Sequence, residues 1–193
     1  ILGCVVEVVS GLNFAQYLQE NIFGPLKLNS MGFAVKPKDN NSFTTLYTSG
    51  LFSRDGEIIG AAGVNPADLM FSKELRQIDP YLKSPYQSNT SKLYDGGSGL
   101  VSNIDDYAQF ALMLMNKGEL NGVRILSESS VEMMSKNHLS DSVLSDGAAF
   151  GLDGIGFGLT MAVVKDAGRA GTYSTNGEFS WGGAASTTFW VDP

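Results

Sequence analysis

YDGGSGLVSNIDDYAQFALMLMNKGELNGVRILSESSVEMMSKNHL, residues 94–139, is the stretch that decides the fold. It begins with a glycine-rich loop. Ser102 followed three residues later by Asp105 has the spacing of a capping box, which marks the start of a helix. Apolar residues then recur at helical spacing until Gly118, which is placed to end the helix. The pattern predicts a capped amphipathic helix of about a dozen residues.

Short turns separate this helix from its neighbours. Asn121-Gly122 is a turn signal that precedes the extended segment "VRIL". Ser127 then caps a further helix that runs to about residue 135. Near the start of the chain, residues 1–9 form an apolar helix that Gly11 ends, and Asn13 caps the helix after it.

Strand signals dominate the last third of the chain. After a predicted polar loop at 140–147, "FGLTMAVVKD" (157–166) is predicted to form one strand and "AGRAG" a turn. Asn176-Gly177 is a hairpin signal, and "EFSWGGAASTTFWVD" supplies further strand material. In the middle, "TTLYTSG" and "EIIGAAG" predict two short strands. Helices followed by adjacent antiparallel strands indicate an α+β fold, with an antiparallel sheet flanked by helices.

The composition narrows the class of protein. Hydrophobic residues make up 43% of the chain and charged residues 17%, which is typical of a globular domain. The net charge is −7, and lysine and arginine are scattered singly, so we expect no nucleic-acid partner. Every apolar stretch is shorter than the ~20 residues that a membrane span needs. The single cysteine, Cys4, leaves the cellular compartment open.

Several kinds of catalytic site are disfavoured by the residues present. The only histidine, His138, lies at a predicted helix end, where a surface or C-terminal capping role is expected. With one histidine and one cysteine we expect no metal and no cofactor. Asp105 and Asp106 fall in the first turn of a helix, where they complement its dipole. No lysine has a serine three residues before it, so a Ser-x-x-Lys nucleophile is absent from this chain.

Trp181-Gly182-Gly183 is unusual because glycine weakens the interior of a strand. Two interpretations follow from the residues alone. The glycines could form a β-bulge beside a core tryptophan, or they could let a ligand approach the backbone closely.

Residues 94–139, "FGLTMAVV" and "WGGAASTTFWVDP" together resemble the serine β-lactamase and penicillin-binding-protein superfamily. The branch they are most similar to is the class C β-lactamase-like proteins, which include the family VIII serine esterases. "VVEVVSGLNFAQYLQENIFGPLKLNSMGF" is similar to a helix pair of that family. The resemblance implies a β-lactamase/transpeptidase-like fold and a bacterial protein, from either the cytoplasm or the periplasm.

The resemblance also implies an incomplete domain. The family has three motifs: Ser-x-x-Lys, a tyrosine motif, and Lys-Thr-Gly or Trp-Gly-Gly on a strand. Only the third is present, as Trp181-Gly182-Gly183. The helix at Ile1 begins without a cap, and "STTFWVDP" has no strand after it. We therefore expect residues 1–193 to be the C-terminal-side part of one domain, truncated at both ends.

In that family the residue after the third motif supplies one oxyanion-hole donor. This implies that the backbone N–H of Ala184 is catalytic, with Trp181 forming a pocket wall and Gly182 and Gly183 leaving room for substrate. Such a donor contributes roughly 3 kcal/mol of transition-state stabilisation. The implied substrate is a small-molecule ester or β-lactam. Tryptophan in place of lysine favours esters.

Two alternatives remain at this point. The chain could be a non-catalytic binding or regulatory module on the same fold. It could also associate with itself, or with a missing N-terminal half that carries the serine. The enzyme interpretation expects an acyl-enzyme serine hydrolase as the full-length protein and no hydrolysis by this chain alone.

Overall fold

The computed structural model of the 193-residue chain describes residues 1–45, 47–49, 75–77, 85–87, 93–148, 152–183 and 187–193. These residues form helices and antiparallel strands, so the α+β prediction is confirmed. They fall into two compact units. The first comprises Ile1–Ala15 and Gly32–Ser102, and the second comprises Gln16–Met31 and Asn103–Pro193.

The helices and strands are numbered in chain order within the described residues. The helices are α1 (Leu2–Ser10), α2 (Phe14–Leu18, followed by a π-helical turn at Gln19–Phe23), α3 (Ile104–Met115), α4 (Glu128–Met134), α5 (Asp141–Ala148) and α6 (Ala167–Ala170). The strands are β1 (Tyr47–Ser49), β2 (Leu75–Gln77), β3 (Glu119–Leu120), β4 (Val123–Arg124), β5 (Ile155–Phe157), β6 (Ala162–Val164), β7 (Phe179–Gly182) and β8 (Thr188–Val191). Short 3-10 turns lie at Pro37–Ser42 and Pro85–Gln87.

The first unit begins with α1, which ends where the sequence predicted. Gly11 adopts φ 73°, a left-handed conformation that glycine reaches without strain, and its N–H caps the helix on the Glu7 carbonyl. The Glu7 carboxylate also accepts the Phe14 N–H at 2.8 Å, which fixes the start of α2. Phe14 then contacts the Phe33 ring, with 6.0 Å between ring centroids.

The second unit is organised around a four-stranded antiparallel sheet in the order β5-β6-β7-β8. Val163, Phe179 and Val191 stand opposite one another on adjacent strands, and each is at most 4% exposed. Helix α3 packs on β8, where the ring centroids of Tyr107 and Phe189 lie 5.7 Å apart. Burial raises the pKa of the Tyr107 phenol. The core of the second unit therefore lies where α3 packs on the sheet.

The start of α3 differs by one residue from the sequence prediction. The capping residue is Asn103 rather than Ser102, and its side-chain oxygen accepts the Asp106 N–H at 2.8 Å. The Asp106 carboxylate accepts both the N–H and the hydroxyl of Ser30, at 2.6 and 2.7 Å. The Ser30 hydroxyl in turn accepts the Asn103 N–H at 3.1 Å. These three hydrogen bonds of Ser30 fix where α3 begins. Asp105 and Asp106 do lie in the first turn, as predicted.

The turns after α3 follow the prediction. Gly118 adopts φ 91°, and its N–H returns to the Met113 carbonyl. Asn121 and Gly122 have φ values of 51° and 79°, as the tight β3–β4 hairpin requires. Ser127 caps α4 by accepting the Ser130 N–H.

Three local predictions were wrong. The expected polar loop at 140–147 lies in α5, because its serine and aspartate residues occupy the N-terminal end of a helix, where they are favoured. The expected single strand at 157–166 is a β5–β6 hairpin. It bends where the Gly158 N–H bonds to the Met161 carbonyl at 2.8 Å. "AGRAG" forms α6, capped by the Asp166 side chain, which accepts the Arg169 N–H.

The two predicted middle strands have different outcomes. Within "TTLYTSG", β1 forms and pairs with β2. "EIIGAAG" lies outside the described residues.

Candidate active-site strand

Strand β7 runs from the core to the surface of the second unit. Phe179 at its start is 2% exposed, whereas Trp181 is 51% exposed and Gly182 is exposed. Trp181 pairs with Phe189 of β8, and Gly182 pairs with Thr188. Because Trp181 is half exposed, it is not the core tryptophan that a purely structural β-bulge would place there.

Gly183 has a structural reason to be glycine. Its N–H donates to the Thr187 carbonyl at 2.8 Å, and so it continues the pairing between β7 and β8. A Cβ added at Gly183 would lie 2.5 Å from the Thr187 hydroxyl oxygen. The backbone and the threonine side chain are therefore too close for a larger residue, unless Thr187 rotates.

Gly182 has no such reason among the described residues. Its φ is not in the left-handed region that favours glycine. Among the described residues, an added Cβ would meet only the Thr187 carbonyl oxygen, at 3.5 Å, which is an ordinary van der Waals distance. No described residue fills the space beside this exposed backbone, as the ligand-approach interpretation requires.

The indole of Trp181 packs against an aromatic side chain from β5. The Phe157 and Trp181 ring centroids lie 5.3 Å apart, with an interplanar angle of 80°. This is the edge-to-face arrangement that aromatic pairs favour. The sequence prediction missed Phe157, because it made that residue the start of one long strand, whereas the structure places it at the end of β5.

The segment after α4 holds β5 in place. The Asn137 side-chain oxygen accepts the Phe157 N–H at 3.0 Å, and the Phe157 carbonyl accepts the His138 N–H at 2.9 Å. Gly156 lies so close to the Asn137 side chain that a Cβ there would overlap it. The His138 ring is hydrogen-bonded to the Met133 carbonyl at 2.8 Å, in the last turn of α4. The expected C-terminal capping role of His138 is therefore confirmed.

Ala184 lies outside the described residues, so the assignment of its N–H to an oxyanion hole stays a prediction. Trp181, Gly182 and Gly183 are adjacent at the exposed end of β7, where β7 and β8 are joined.

An open cavity of about 320 Å³ lies on the second unit beside β7 and β8. Its lining includes Tyr173, Glu178 and Ser180, and also Thr188 and Trp190 of β8, of which Thr188 pairs with Gly182. Loss of hydration raises the pKa of Glu178, and the nearby Asp192 carboxylate raises it further.

The glycine-rich loop of the first unit, Gly96–Gly99, is held by hydrogen bonds to the Asp95 carboxylate. Asp95 accepts the Ser98 hydroxyl at 2.8 Å and the Gly97 N–H at 3.2 Å. These bonds lower the pKa of Asp95, because they stabilise the ionised carboxylate. Gly99 adopts φ 91°, so glycine is required at that position.

Within the described residues, no helix is both long enough and apolar enough to cross a membrane. The same residues contain no group of three or more histidine, cysteine, aspartate or glutamate side chains that could hold a metal ion.

Comparison with known proteins gives consistent matches over the whole chain. A family model described as Beta-lactamase matches residues 1–193. Protein Rv1367c of Mycobacterium tuberculosis (strain ATCC 25618 / H37Rv) is 29% identical over 202 residues, which cover 100% of this chain and 44% of that protein. The chain therefore spans less than half the length of this curated relative.

Solved structures agree on the fold. EstCE1, described as a hydrolase with promiscuous acyltransferase activity, is 25% identical with a TM-score of 0.65, and the match covers 100% of this chain and 46% of that one. Simvastatin synthase (LovD) from Aspergillus terreus is 20% identical with a TM-score of 0.67, and the match covers 99% of this chain and 45% of that one. At this identity the second likeness concerns the fold alone.

Proposed function

The chain belongs to the β-lactamase family, and on that basis we propose that it is part of a serine hydrolase that acts through an acyl-enzyme. In this proposal β7 supplies the oxyanion side of the active site and a wall of the substrate pocket. The serine, the lysine and the tyrosine come from polypeptide beyond residues 1–193. No metal or cofactor takes part.

The observation that carries the proposal is the open space at Gly182. A glycine in a strand lowers stability unless conformation, packing or a ligand requires it. Neither its φ nor the described neighbours require it here. A substrate carbonyl that approaches the β7 backbone gives the missing reason.

The exposed Trp181 supports the choice of substrate. Its indole is apolar and uncharged, and it stands where other family members carry a lysine. An ester with an apolar acyl group suits this wall better than an anionic β-lactam does, because the indole carries no positive charge to form an ion pair with a carboxylate. The description of EstCE1 as a hydrolase agrees with a hydrolytic reaction.

The oxyanion donor is assigned to Ala184 rather than to the preceding residue. The Gly183 N–H already donates to Thr187 at 2.8 Å, so it is not available to a substrate oxygen. The Ala184 N–H is the next donor along the chain, and it is the one that the family resemblance implies. A preorganised backbone donor of this kind contributes roughly 3 kcal/mol to the transition state.

We also propose that residues 1–193 form the C-terminal-side part of one domain. Helix α1 supports this, because its apolar side chains are exposed: Leu2 by 74%, Val8 by 84% and Val9 by 82%. A helix whose surface carries this many apolar side chains normally packs against another part of the protein or against a partner. The rest of the domain would cover them, and self-association is the alternative outcome.

The test compares two polypeptides. The 193-residue chain and a longer product of the same reading frame, which includes any upstream Ser-x-x-Lys and tyrosine motifs, are assayed with p-nitrophenyl butyrate and nitrocefin. We expect turnover only from the longer protein, and faster turnover of the ester. Turnover by the 193-residue chain would contradict the missing nucleophile. A longer protein with no Ser-x-x-Lys motif and no fluorophosphonate labelling would favour the non-catalytic binding module.

A further inference from the structure

We propose that Phe157 is a positioning residue for Trp181, and that it thereby sets the shape of the apolar wall at the exposed end of β7. The use of this wall by a substrate rests on the proposed function. The positioning itself is a property of the second unit, and it can be tested without any enzyme activity.

The contact between the two rings is specific in geometry. The 5.3 Å centroid separation and 80° interplanar angle place one ring edge against the face of the other. Aromatic pairs prefer this arrangement because the positive ring edge meets the negative ring face. Phe157 is half-buried, whereas Trp181 is 51% exposed. The anchored ring therefore limits the rotation of the exposed one.

Phe157 can act as an anchor because its backbone is held on both sides. Its N–H donates to the Asn137 side chain at 3.0 Å, and its carbonyl accepts the His138 N–H at 2.9 Å. The Asn137 amide also bonds to Leu139, with its nitrogen donating to the carbonyl at 3.0 Å and its oxygen accepting the N–H at 3.2 Å. The end of β5 is thus tied to the segment after α4.

Two glycines allow this close approach. A Cβ on Gly156 would overlap the Asn137 side chain, and a Cβ on Gly158 would overlap the Met134 carbonyl oxygen. Larger residues at either position would push β5 away from the segment that holds it. The glycines on both sides of Phe157 therefore serve the anchoring, which gives "GFG" at 156–158 a structural reason.

The consequence for substrate recognition is local. With the Phe157 ring in place, the indole of Trp181 keeps one orientation at the exposed end of β7. Without that ring, the indole can take other orientations, and the apolar wall that it would offer to a substrate changes shape. Substitution of Phe157 is therefore expected to change apparent substrate binding more than the chemical step.

Tryptophan fluorescence provides the direct test. The chain contains two tryptophans, so Trp190→Phe leaves Trp181 as the single reporter. In this background Phe157→Leu removes the aromatic ring, whereas Phe157→Tyr keeps an aromatic ring at this position. Phe110→Leu is the matched control, because it makes the same change at another half-buried phenylalanine whose ring contacts Tyr107. Far-UV circular dichroism checks that each variant folds.

We expect Phe157→Leu to raise acrylamide quenching of Trp181 up to about twofold, since Trp181 is now 51% exposed and could approach full exposure. The near-UV circular dichroism of Trp181 should weaken, while Phe157→Tyr and Phe110→Leu should leave both signals unchanged. Unchanged signals in Phe157→Leu, or equal changes in Phe110→Leu, would overturn the proposal. If the leucine variant does not fold, Phe157→Met, whose flexible side chain can fill an irregular gap, also removes the ring and is read in the same way.

An activity arm separates this proposal from the proposed function. In the longer protein, Phe157→Leu is expected to raise the KM for p-nitrophenyl butyrate several-fold with a smaller change in kcat. If the longer protein has no activity, the proposed function fails, while the fluorescence result still decides the role of Phe157.

Discussion

Gly182→Ala is the substitution that most directly separates a structural glycine from a functional one. It adds one methyl group to the exposed end of β7. The nearest described atom is the Thr187 carbonyl oxygen, 3.5 Å from the new Cβ, so no clash is expected. The Gly182 φ also lies in a region that alanine adopts.

The expected effect on folding is stabilising. Glycine in a strand costs roughly 0.5–1 kcal/mol relative to alanine, chiefly because the unfolded chain gains backbone freedom. For a chain of this size, 1 kcal/mol corresponds to about 2–4 °C in Tm. The Tm of the 193-residue chain should therefore rise by about 1–4 °C.

The expected effect on activity has the opposite sign. The same methyl group would occupy the space that the proposal gives to the substrate carbonyl. A displacement of about 1 Å at a reacting centre lowers rates by about 100-fold. In the longer protein, kcat/KM for p-nitrophenyl butyrate should fall by about that factor.

Gly183→Ala is the matched comparison. Its Cβ would lie 2.5 Å from the Thr187 hydroxyl oxygen, so Thr187 must rotate, and a forced rotamer costs about 0.5–1.5 kcal/mol. Thr187→Ala should remove that cost in the double variant, as a double-mutant cycle would show.

Thermal denaturation followed by circular dichroism and steady-state kinetics measure the two effects. A lower Tm in Gly182→Ala would mean that packing explains the glycine. A higher Tm with unchanged kcat/KM would place the substrate elsewhere. Either result would refute the reasoning that assigns β7 to the active site.

Three further predictions concern the second unit. The raised pKa of Glu178 means that this carboxyl binds its proton more tightly in the folded state than in the unfolded state. The free energy of unfolding should therefore fall as pH rises from about 4.5 through the folded pKa. Glu178→Gln should flatten a plot of Tm against pH in that range, and an unchanged slope would contradict this prediction. Asp106→Ala should lower the free energy of unfolding by about 1–3 kcal/mol, because it leaves the two Ser30 donors without their carboxylate. Urea denaturation measures this loss. Ser30→Ala should cost less, since the hydrogen bond from the backbone N–H of residue 30 to Asp106 survives. Asn103→Ala should cost about 1 kcal/mol as a lost helix cap, whereas Asn103→Ser, the control, keeps a good capping side chain and should lose little in the same titration.

Local signals in the sequence were sufficient wherever backbone conformation alone decides the structure. Asn121-Gly122 was predicted as a turn because few residue pairs accept positive φ at both positions, and both angles are positive. Gly11 and Ser127 were predicted for similar reasons, as a left-handed helix end and a side-chain cap.

Predictions failed where a distant contact decides between local options. Ser102 and Asn103 are both good capping residues, and each has an aspartate three residues later. The Ser30–Asp106 contact joins residues 76 positions apart, and it accompanies the choice of Asn103. No pattern within a short window contains that information.

The candidate site was likewise predictable where a local signal exists, and not where a distant contact decides. The motif Trp181-Gly182-Gly183 could be found from the sequence, because two glycines inside a strand are unusual. Its partner Phe157 could not, since the contact depends on how β5 bends and on which residue the segment after α4 holds. Chain position gives no indication that residues 157 and 181 meet.

Two reciprocal backbone bonds join Gly32 and Val101, at 3.1 and 2.8 Å. They bring the ends of residues 33–100 together, whatever the intervening polypeptide contains. The entropy of closing a loop rises only with the logarithm of its length, so doubling that excursion costs about 0.6 kcal/mol. Residues added between these anchors therefore cost little closure entropy, so evolution could lengthen connections there and a protein engineer could splice in a reporter module, provided that Phe33 keeps its contact with Phe14 and β1 stays paired with β2.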